Sequence, residues 1–538
     1  MIIMNQHINS KNIVSEYSSI ISSFSENWNG NYKNLSKFFN KFKISSTVDI
    51  DIINSYKHDW SNLPASASIL TRPKTIKECA IILKTCFKSK IPITVSAGRT
   101  NLTGSATPEE GLILSTSLLT KPDIKLDAKD NSVLSSVGIP LEELRNKILE
   151  LSNNTLFYPV NPTSRNDACV GGTISCNASG FIPGDKGATR YWVKELEFLL
   201  PNGNYILVKR NKFFSSNSQF IIDDNGEKIF LPIPTYNRPS IKNASGPFSS
   251  NGENIDLIDL IIGSEGIFGL IVSCKLNLLS KPKDYLNLFV RLDSENKAID
   301  FYQYLNNYFN QDMSKIFALE YFGHNCQNYM NHRDFLFDDI NQVGLYIKIP
   351  IYNSTIENKS LEWFEILKNF DNQIKSEEVI VLNDKKNMKL FFESRHSIPD
   401  NALIKTKSLN GISIITDTIV PPKYYKKYLN QVHNLLKQEK IEYLLFGHLG
   451  DCHLHFHLIP QKKQEVRAIE IYNILVDYAA NLGGVYSAEH GTGKRKRLDF
   501  KKCYGDSAVL MIKNLKYKLD PYFLLNRGNI IPYVIEKN

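Results

Sequence analysis

The 538-residue sequence has few cysteines, eight in all, and they form no C-x-x-C pair and no run of iron–sulfur ligands. A disulfide scaffold needs a higher cysteine density, so we expect reduced thiols, as in a cytoplasmic protein. No apolar run reaches the roughly 18 residues that span a bilayer. The first residues lack a basic stretch followed by an apolar block, so no secretory signal is predicted.

The excess of one charge sign is also small. Lys and Arg number 64 against 55 Asp and Glu, a formal net charge of +9. This excess fits an anionic ligand or a peripheral contact with an anionic membrane face, and it decides between neither. No nucleic-acid-binding motif accompanies the charge, so we expect no nucleic-acid partner. Hydrophobic residues make up 42 % and charged residues 22 %, as in a folded protein of two to four domains.

The apolar patterns predict an α+β protein. Residues 1–45 predict a helical extension, with apolar positions at Ile13, Tyr17, Ile20, Ile21 and Phe24. In the next part, helices are predicted over 76–87 and 140–151, and strands over 91–95, 111–114 and 132–137.

A break in this pattern follows over residues 212–256, which are rich in Pro, Gly, Ser and Asn. We interpret this stretch as a surface insertion within the first domain. Residues 256–272 then return to a strand-like apolar run. Lys281-Pro282-Lys283 marks a boundary, and a second α+β domain is predicted from 285 to about 490.

Three segments of small residues indicate a nucleotide site: SAGRTNLTGS (96–105), NPTSRNDACVGGTISCNASG (161–180) and GSEGIFG (263–269). No G-x-G-x-x-G motif follows a strand, so a Rossmann site is not supported. Glycine permits close backbone approach, and successive N–H groups in such loops can form a concave site for phosphate oxygens. Any one of these loops alone is more often a tight turn, but three in one domain favour a ligand.

Four of the eleven histidines fall within GHLGDCHLHFHL (447–458). His453, His455 and His457 alternate with apolar residues, so a strand would place the three imidazoles on one face. His448 precedes the turn and can fold back beside them. The alternative is a polar strand face hydrogen-bonded to water.

A second polar segment, SAEHGTGKRKR (487–497), places Glu489 beside His490 in a loop of small residues. A carboxylate with imidazoles suits Zn²⁺ or Mn²⁺, and fewer than four protein ligands leave room for substrate. The basic run over 494–497, with Lys501 and Lys502, is typical of a solvated face, or would contact a phosphate, an acceptor protein or lipid.

These segments resemble, in order and spacing, the FAD-binding domain of the vanillyl-alcohol-oxidase superfamily. The chain is more closely similar to the D-lactate / D-2-hydroxyglutarate dehydrogenase and glycolate-oxidase flavoproteins. That family reads R-G-G-G-T-S-L-T-G, then P-D-P-T-S…A-T-I-G-G-N-I-A-T-N-A-G-G, then G-S-E-G-T-L-G, and later G-H-L-G-D-G-N-L-H-L-N and G-E-H-G-I-G. The resemblance covers about residues 65–538.

The resemblance implies three parts after the extension. They are a two-subdomain FAD-binding domain over 46–284, an α+β cap domain with an antiparallel sheet and the metal site over 285–490, and a segment over 491–538 that returns to the FAD-binding domain.

The resemblance also implies that FAD is bound non-covalently, because no His or Cys stands where relatives tether the flavin. The implied FAD-binding residues are Ser96, Ala97, Gly98, Arg99, Thr100, Asn101, Thr103, Gly104, Pro162, Thr163, Ser164, Gly171, Gly172, Thr173, Asn177, Gly180, Gly263, Ser264, Glu265, Gly266, Gly269, Ile271 and Asn526. Ala97, Arg99 and Ser179 replace family glycines, so the first loop cannot be identical to that of the relatives.

By the same resemblance, the metal ligands are His448, His455 and Glu489, and His490 is the general base. Arg395 matches the family residue that binds the substrate carboxylate; the alternative for Arg395 is an ion pair with Glu393 or Asp400. His453 and His457 stand at family Asn positions, so a contact of His457 with metal or substrate stays open.

The implied function is oxidation of a D-2-hydroxy acid to a 2-oxo acid, with FAD and a divalent metal. A Lys of the relatives that prefer dicarboxylic substrates matches Ile415 here, which favours a monocarboxylic, D-lactate-like substrate. Quinone, a cytochrome, an electron-transferring flavoprotein or dioxygen would accept the electrons. Two alternatives remain: a non-redox flavin transferase resembling alkylglycerone phosphate synthase, and a non-catalytic FAD-binding subunit of a glycolate-oxidase-like complex.

Overall fold

The computed structural model describes residues 8–533, so the first residues of the predicted extension and the last residues of the predicted C-terminal segment lie outside it. The extension forms two helices, Ser18–Glu26 and Tyr32–Lys41. Ile21 is buried, but Ile20 is 50 % exposed, so the predicted apolar face does not include every position.

Two sheets build the first domain. The four-stranded sheet has the order Ser45–Thr47, Ile69–Arg72, Leu112–Ser115 and Ile93–Ser96, and its last three strands are parallel. Helix Ile76–Ser89 connects two of these strands, as parallel pairing requires. The Thr75 side chain accepts a hydrogen bond from Glu78 N and begins this helix.

The second sheet of this domain is antiparallel, with the order Tyr205–Lys209, Val193–Leu199, Leu270–Asn277, Ser132–Ser136 and Lys125–Asp127. A separate short pair joins Leu156–Phe157 to Leu279–Ser280. The remaining helices are Ile50–Asn54, Leu141–Leu151, Val170–Ser175, Thr189–Trp192 and Leu257–Ile261.

The predicted helices over 76–87 and 140–151 are confirmed, as are the three predicted strands. The strand-like interpretation of 256–272 is wrong in its first half. Residues Leu257–Ile261 form a helix, with Asp256 as its N-cap, and the strand begins only at Leu270. A short, continuously apolar run does not distinguish a buried helix from a buried strand.

The sequence predicts that residues 212–256 lie on the surface. The structure shows that part of this stretch is buried. Strands Gln219–Asp224 and Glu227–Pro232 form a hairpin, and Ile8–Asn9 pairs with the first of them. The stretch that follows turns inward: Ala244 is buried and its N–H donates to the Ser487 carbonyl at 3.1 Å. The insertion therefore contacts the segment that carries Glu489 and His490.

The cap domain contains one seven-stranded antiparallel sheet, as predicted. Its strand order is Val379–Val381, Asp284–Leu292, Val343–Ile351, Ala318–Phe322, Glu442–His448, His453–Ile459 and Ile414–Ile415. Its helices are Glu295–Tyr308, Arg333–Leu336, Ile356–Phe370, Lys385–Ser408, Tyr425–Gln438 and Glu465–Asn481.

The C-terminal part returns to the first domain, where helix Arg497–Leu519, interrupted at Gly505, joins the main core. Ile93 N donates to the Leu524 carbonyl at 2.9 Å, which fixes the return at the edge of the parallel strands. No helix within residues 8–533 has both the length and the apolarity needed to cross a membrane. All eight cysteines have free thiols.

Candidate active site

A half-enclosed cavity of about 330 Å³ lies where the first domain, the cap and the C-terminal segment meet. All three predicted small-residue loops contribute to its wall, and His448, Glu489 and His490 line it from the cap side. The predicted FAD-binding residues that line it are Ala97, Gly98, Arg99, Thr100, Asn101, Pro162, Thr163, Ser164, Gly171, Gly172, Thr173, Gly180, Glu265, Gly266, Gly269, Ile271 and Asn526.

Six other predicted FAD-binding residues are not in the cavity wall: Ser96, Thr103, Gly104, Asn177, Gly263 and Ser264. They support the loops instead. The Asn177 Oδ1 accepts a hydrogen bond from Arg190 N at 2.9 Å, and the Ser264 hydroxyl donates to the Ile261 carbonyl at 2.7 Å. A shared loop motif therefore does not imply that every member faces the cavity.

The Glu265 side chain joins the loops around the cavity. Its carboxylate accepts hydrogen bonds from the Ser105 hydroxyl at 2.5 Å and from the N–H groups of Thr492 and Gly493 at 2.6 and 2.8 Å. Burial raises the pKa of Glu265, although these donors oppose the shift. Through this carboxylate, the loop 263–269 holds both the loop 96–105 and the C-terminal segment in place.

The backbone of Arg99 explains how the first loop accommodates a changed residue. Its φ is +57°, in the left-handed region that favours the glycine of the relatives. The guanidinium lies over the Tyr56 ring, 4.7 Å from its centroid. Glycine and other small residues make up much of the wall, so a nucleotide can approach the backbone closely. The residues present therefore fit a dinucleotide such as FAD.

The histidine strand has the predicted geometry. Residues His453–Ile459 form a strand, and Leu454, Phe456 and Leu458 on one face pack into the cap core. His448 is the register partner of His453, so it folds back beside the strand.

Three of the predicted residues offer ligand atoms that all lie within 4.8 Å of one another: His448, His455 and Glu489. His455 Nδ1 donates to the Thr416 carbonyl at 3.0 Å, which leaves its Nε2 lone pair for a metal. His448 Nδ1 bonds to Glu320 at 2.6 Å, and His448 Nε2 lies 3.3 Å from Glu489 Oε1. Two imidazoles oriented by outer acceptors and one carboxylate fit a divalent metal.

The pKa values of these groups follow from burial and their neighbours. Burial, with help from His453, lowers the pKa of His455 to about 3, so this imidazole is neutral. Burial alone would lower the pKa of His448 too, but Glu320 and Glu489 raise it to about 9. Burial would raise the pKa of Glu489, yet His448 and Lys242 hold it well below its usual range.

Asp417 is a second buried centre, and it fixes the loop that carries Glu489 and His490. Its carboxylate accepts hydrogen bonds from His490 N at 3.0 Å and from the Ser487 hydroxyl at 2.6 Å, and Lys496 Nζ lies 3.0 Å away. His490 Nδ1 lies 3.5 Å from the same carboxylate. Burial lowers the pKa of His490 despite Asp417, which favours the neutral ring that a proton acceptor needs.

The two histidines at family Asn positions differ in their surroundings. His453 Nε2 lies 3.2 Å from Asp417, and Asp417, His453 and His455 form a second group close enough to share an ion. His457 belongs to neither group; its Nε2 bonds to the Ser413 hydroxyl at 2.8 Å. His457 also does not line the cavity, so the structure gives no support for a contact with metal or substrate.

Arg395 pairs with neither Glu393 nor Asp400. Its Nη2 donates to Glu320 Oε2 at 2.8 Å, so Glu320 binds Arg395 with one oxygen and His448 with the other. The guanidinium also lies over the Phe181 ring, 4.8 Å from its centroid. Phe181 lines the cavity and Arg395 does not, so Arg395 lies directly behind the wall.

The sequence does not predict several residues that contact the candidate site: Lys242, Glu320, Lys496, Thr416 and Phe181. The basic run over 494–497 is also not the solvated face that its composition suggests. Lys494 and Lys496 are buried, and Lys494 Nζ donates to Asn529 at 2.9 Å. No local signal in the sequence identifies these residues, because their partners lie far away along the chain.

Comparison with known protein families also divides the chain into two parts. An FAD binding domain model matches residues 67–209, and a model of the C-terminal domain of FAD linked oxidases matches residues 327–530.

Similar whole proteins include a D-lactate dehydrogenase of Archaeoglobus fulgidus, 24 % identical, with 86 % of this chain and 91 % of the relative covered. A D-2-hydroxyglutarate dehydrogenase of Xanthomonas citri pv. viticola is 23 % identical, covering 89 % of this chain and 92 % of the relative. The glycolate oxidase subunit GlcD of Bacillus subtilis is also 23 % identical, with 85 % and 87 % covered.

Solved structures with the same fold include p-cresol methylhydroxylase, with a TM-score of 0.64 and 13 % identity, covering 90 % of this chain and 94 % of that one. An alkyldihydroxyacetonephosphate synthase matches with a TM-score of 0.59 and 12 % identity, covering 89 % and 81 %. At these identities the likeness is one of fold alone.

Proposed function

Because the chain belongs to the FAD-linked oxidase family, of the D-lactate / D-2-hydroxyglutarate dehydrogenase and glycolate-oxidase type, we propose that it is an FAD-dependent, metal-assisted dehydrogenase. Its substrate is a D-2-hydroxy acid, and its product is the 2-oxo acid. One observation carries this proposal: His448, His455 and Glu489 come together, and His448 and Glu489 line the cavity suited to FAD together with His490.

When bound, FAD would supply the hydride acceptor for the substrate Cα, and a divalent ion such as Zn²⁺ or Mn²⁺ would lower the pKa of the substrate hydroxyl. His448, His455 and Glu489 are the residues that would hold that ion. His490 Nδ1 faces Asp417, so its Nε2 is the nitrogen that accepts the hydroxyl proton. The Asp417 carboxylate fixes the His490 backbone and orients the ring.

Arg395 supplies positive charge for the substrate carboxylate. The guanidinium donates to Glu320, and Phe181 lies between it and the cavity, so Arg395 acts through its charge from behind the wall and makes no direct hydrogen bond to the substrate. Burial would raise the pKa of Glu320, but His448 and Arg395 lower it to about 2, so this carboxylate stays ionised. Glu320 thereby couples the carboxylate-binding side to the metal-binding side.

The proposed substrate is monocarboxylic and D-lactate-like. Among the described residues that line the cavity, no lysine occurs and Arg99 is the single arginine. Ile415, at the position of the lysine in relatives with dicarboxylic substrates, is 38 % exposed on an edge strand and does not line the cavity. The wall therefore offers little charge for a second carboxylate.

The electrons from the reduced flavin pass to a quinone, a cytochrome or an electron-transferring flavoprotein, and the protein works in the cytoplasm or at the inner membrane face. These acceptors are part of the proposal, because a flavin that has taken up a hydride must pass its two electrons on before the next turnover. Dioxygen is the remaining acceptor class.

The two alternatives predict different behaviour of the flavin. A non-redox transferase would form a covalent adduct without net oxidation, and a non-catalytic subunit would need a partner chain. The imidazole and carboxylate cluster favours the dehydrogenase, because neither alternative requires a metal beside the flavin. If D-lactate bleaches the flavin bound to the isolated protein under anaerobic conditions, both the transferase and the non-catalytic subunit are excluded.

The function is tested by a screen of 2-hydroxy acids with purified FAD-bound protein and a dye acceptor, with and without chelator. We expect turnover with a D-2-hydroxy acid, loss of turnover on chelation and recovery with Zn²⁺ or Mn²⁺. Full activity after chelation, with no bound metal, would contradict the metal-assisted mechanism. Absence of turnover with every acid tested would contradict the substrate class.

A further inference from the structure

Lys242 in the insertion has a side chain that reaches the candidate metal site from the first domain. Its ammonium lies 2.5 Å from Glu489 Oε1 and 3.1 Å from the Asp451 carboxylate, and its side chain is 5 % exposed. No other partner of this ammonium occurs within residues 8–533. Lys242 does not line the cavity, so it acts on the site through Glu489 and Asp451.

Both partners of Lys242 are themselves fixed by other contacts. Glu489 Oε1 lies 3.3 Å from His448 Nε2, and Glu489 N donates to Asp417 at 3.2 Å. Asp451 Oδ1 accepts a hydrogen bond from Gly184 N at 2.7 Å. Glu489 therefore stays oriented toward the histidines without Lys242, and the main contribution of Lys242 is its positive charge.

The charges around the site explain why this cation matters. The proposed metal ligand Glu489 and the nearby carboxylates Glu320, Asp417 and Asp451 are in contact with three permanent cations, Lys242, Arg395 and Lys496. These groups leave one net negative charge, so a bound divalent ion makes the site positive by one unit. Without Lys242, the metal-loaded site would be neutral.

We propose that Lys242 is a positioning residue of this site that weakens metal binding and strengthens binding of the anionic substrate, by keeping the metal-loaded site positively charged. The inference rests on the proposed function. A cation beside Glu489 opposes a second cation bound to the same carboxylate, and it attracts the carboxylate and the developing alkoxide of the substrate. The two affinities therefore respond to Lys242 in opposite directions.

The test uses the FAD-bound protein and its Lys242→Gln variant, since glutamine can still donate a hydrogen bond but carries no charge. Two quantities are measured: the Kd for Mn²⁺, from the signal of free Mn²⁺ in electron paramagnetic resonance, and the KM for D-lactate. We expect Mn²⁺ to bind at least about tenfold more tightly and the KM to rise several-fold, because even at the dielectric constant of bulk water, ~80, a unit charge about 5 Å from a divalent ion changes its binding by roughly tenfold.

Three further variants keep the test decisive. Lys242→Arg retains the charge and should bring both quantities back toward those of the wild type. Asp451→Asn removes a negative charge and should therefore weaken Mn²⁺ binding. This variant replaces Lys242→Gln as the test if Lys242→Gln does not fold. Lys275→Gln is the matched control, because Lys275 also bridges two carboxylates, Asp127 and Asp130, but belongs to the first domain away from the cavity.

If Lys242→Gln raises both the Kd for Mn²⁺ and the KM for D-lactate, the role of Lys242 is merely structural and the inference is overturned. The inference is also overturned if neither constant changes. If the wild type binds no Mn²⁺ at all, the proposed function fails along with the inference. If the wild type binds Mn²⁺ and oxidises D-lactate while Lys242→Gln leaves both constants unchanged, the inference alone fails.

Discussion

Nδ1 of His448 donates a hydrogen bond to the buried carboxylate of Glu320 at 2.6 Å. An imidazole whose outer nitrogen is held in this way presents its other nitrogen in one fixed direction. Since Glu320 also accepts from Arg395, one carboxylate orients both a metal ligand and the guanidinium proposed to supply positive charge from behind the cavity wall.

We predict that Glu320→Gln lowers metal affinity by about 10- to 100-fold without loss of FAD, because the amide orients His448 less firmly. Equilibrium dialysis against Zn²⁺ measures the affinity, and protein absorbance measures flavin content. Glu295→Gln is the matched control: Glu295 also bonds an imidazole, His433, at 3.0 Å, but outside the cavity wall. Equal metal affinity in the wild type and Glu320→Gln would refute the role of Glu320.

His490→Ala should lower turnover by about 10²- to 10⁴-fold while flavin and metal stay bound, because the proposed proton acceptor is removed. Turnover is measured with D-lactate and a dye acceptor. His457→Asn is the control, since His457 bonds Ser413 and does not line the cavity. We expect that variant to keep most of its turnover. Normal oxidation by His490→Ala would show that the base assignment is wrong.

Asp417→Asn should lower the free energy of unfolding by about 3–5 kcal/mol, because Lys496 and His453 would be left buried beside a neutral group. Denaturant unfolding of the FAD-bound protein measures the change. In the control Asp506→Asn, which breaks an exposed pair with Lys501, the change should stay within about 1 kcal/mol. A similar small effect in Asp417→Asn would contradict the view of Asp417 as a structural centre.

Lys348 in the cap makes the stability of the protein depend on pH, and the direction of that dependence follows from its pKa. Burial, with repulsion from Arg145 and Arg165, lowers the pKa of Lys348 to about 8, below its unfolded value. The unfolded chain thus binds more protons between that value and about 10.4, so stability increases as pH rises through this window.

Lys348→Met should therefore stabilise the protein below pH 8, and the gain should vanish above pH ~10.4. Thermal unfolding across this range measures the difference from the wild type. The exposed Lys389→Met should show a small, pH-independent difference. A gain for Lys348→Met that is equal at every pH would rule out the charge as its cause.

The sequence predicts the parts of the fold that local pattern controls. Alternation over 453–458 predicts the strand His453–Ile459 and its apolar face, and apolar spacing over 76–87 predicts the helix that the structure has at Ile76–Ser89. The apolar run 256–272 was misinterpreted, since burial on all sides removes the periodicity that separates a helix from a strand.

The candidate site divides in the same way. The three metal ligands follow from motif resemblance, and the structure brings them within 4.8 Å. Lys242, Glu320 and Lys496 depend on long-range contacts, and charged residues of these types are usually exposed, so composition gives no sign that they are buried. The surface interpretation of 212–256 holds only in part, because small and polar residues such as Ala244 and Ser245 are buried by segments that lie far away along the chain.

The central claim is that a metal held by His448, His455 and Glu489 allows the substrate alcohol to reduce the flavin. Anaerobic stopped-flow measurement of flavin reduction by D-lactate tests it most directly, using metal-stripped protein, the same protein reloaded with Zn²⁺ or Mn²⁺, and Glu489→Gln. We predict rapid bleaching of the flavin only in the reloaded wild type. Equally rapid bleaching in the metal-stripped protein or in Glu489→Gln would contradict the claim.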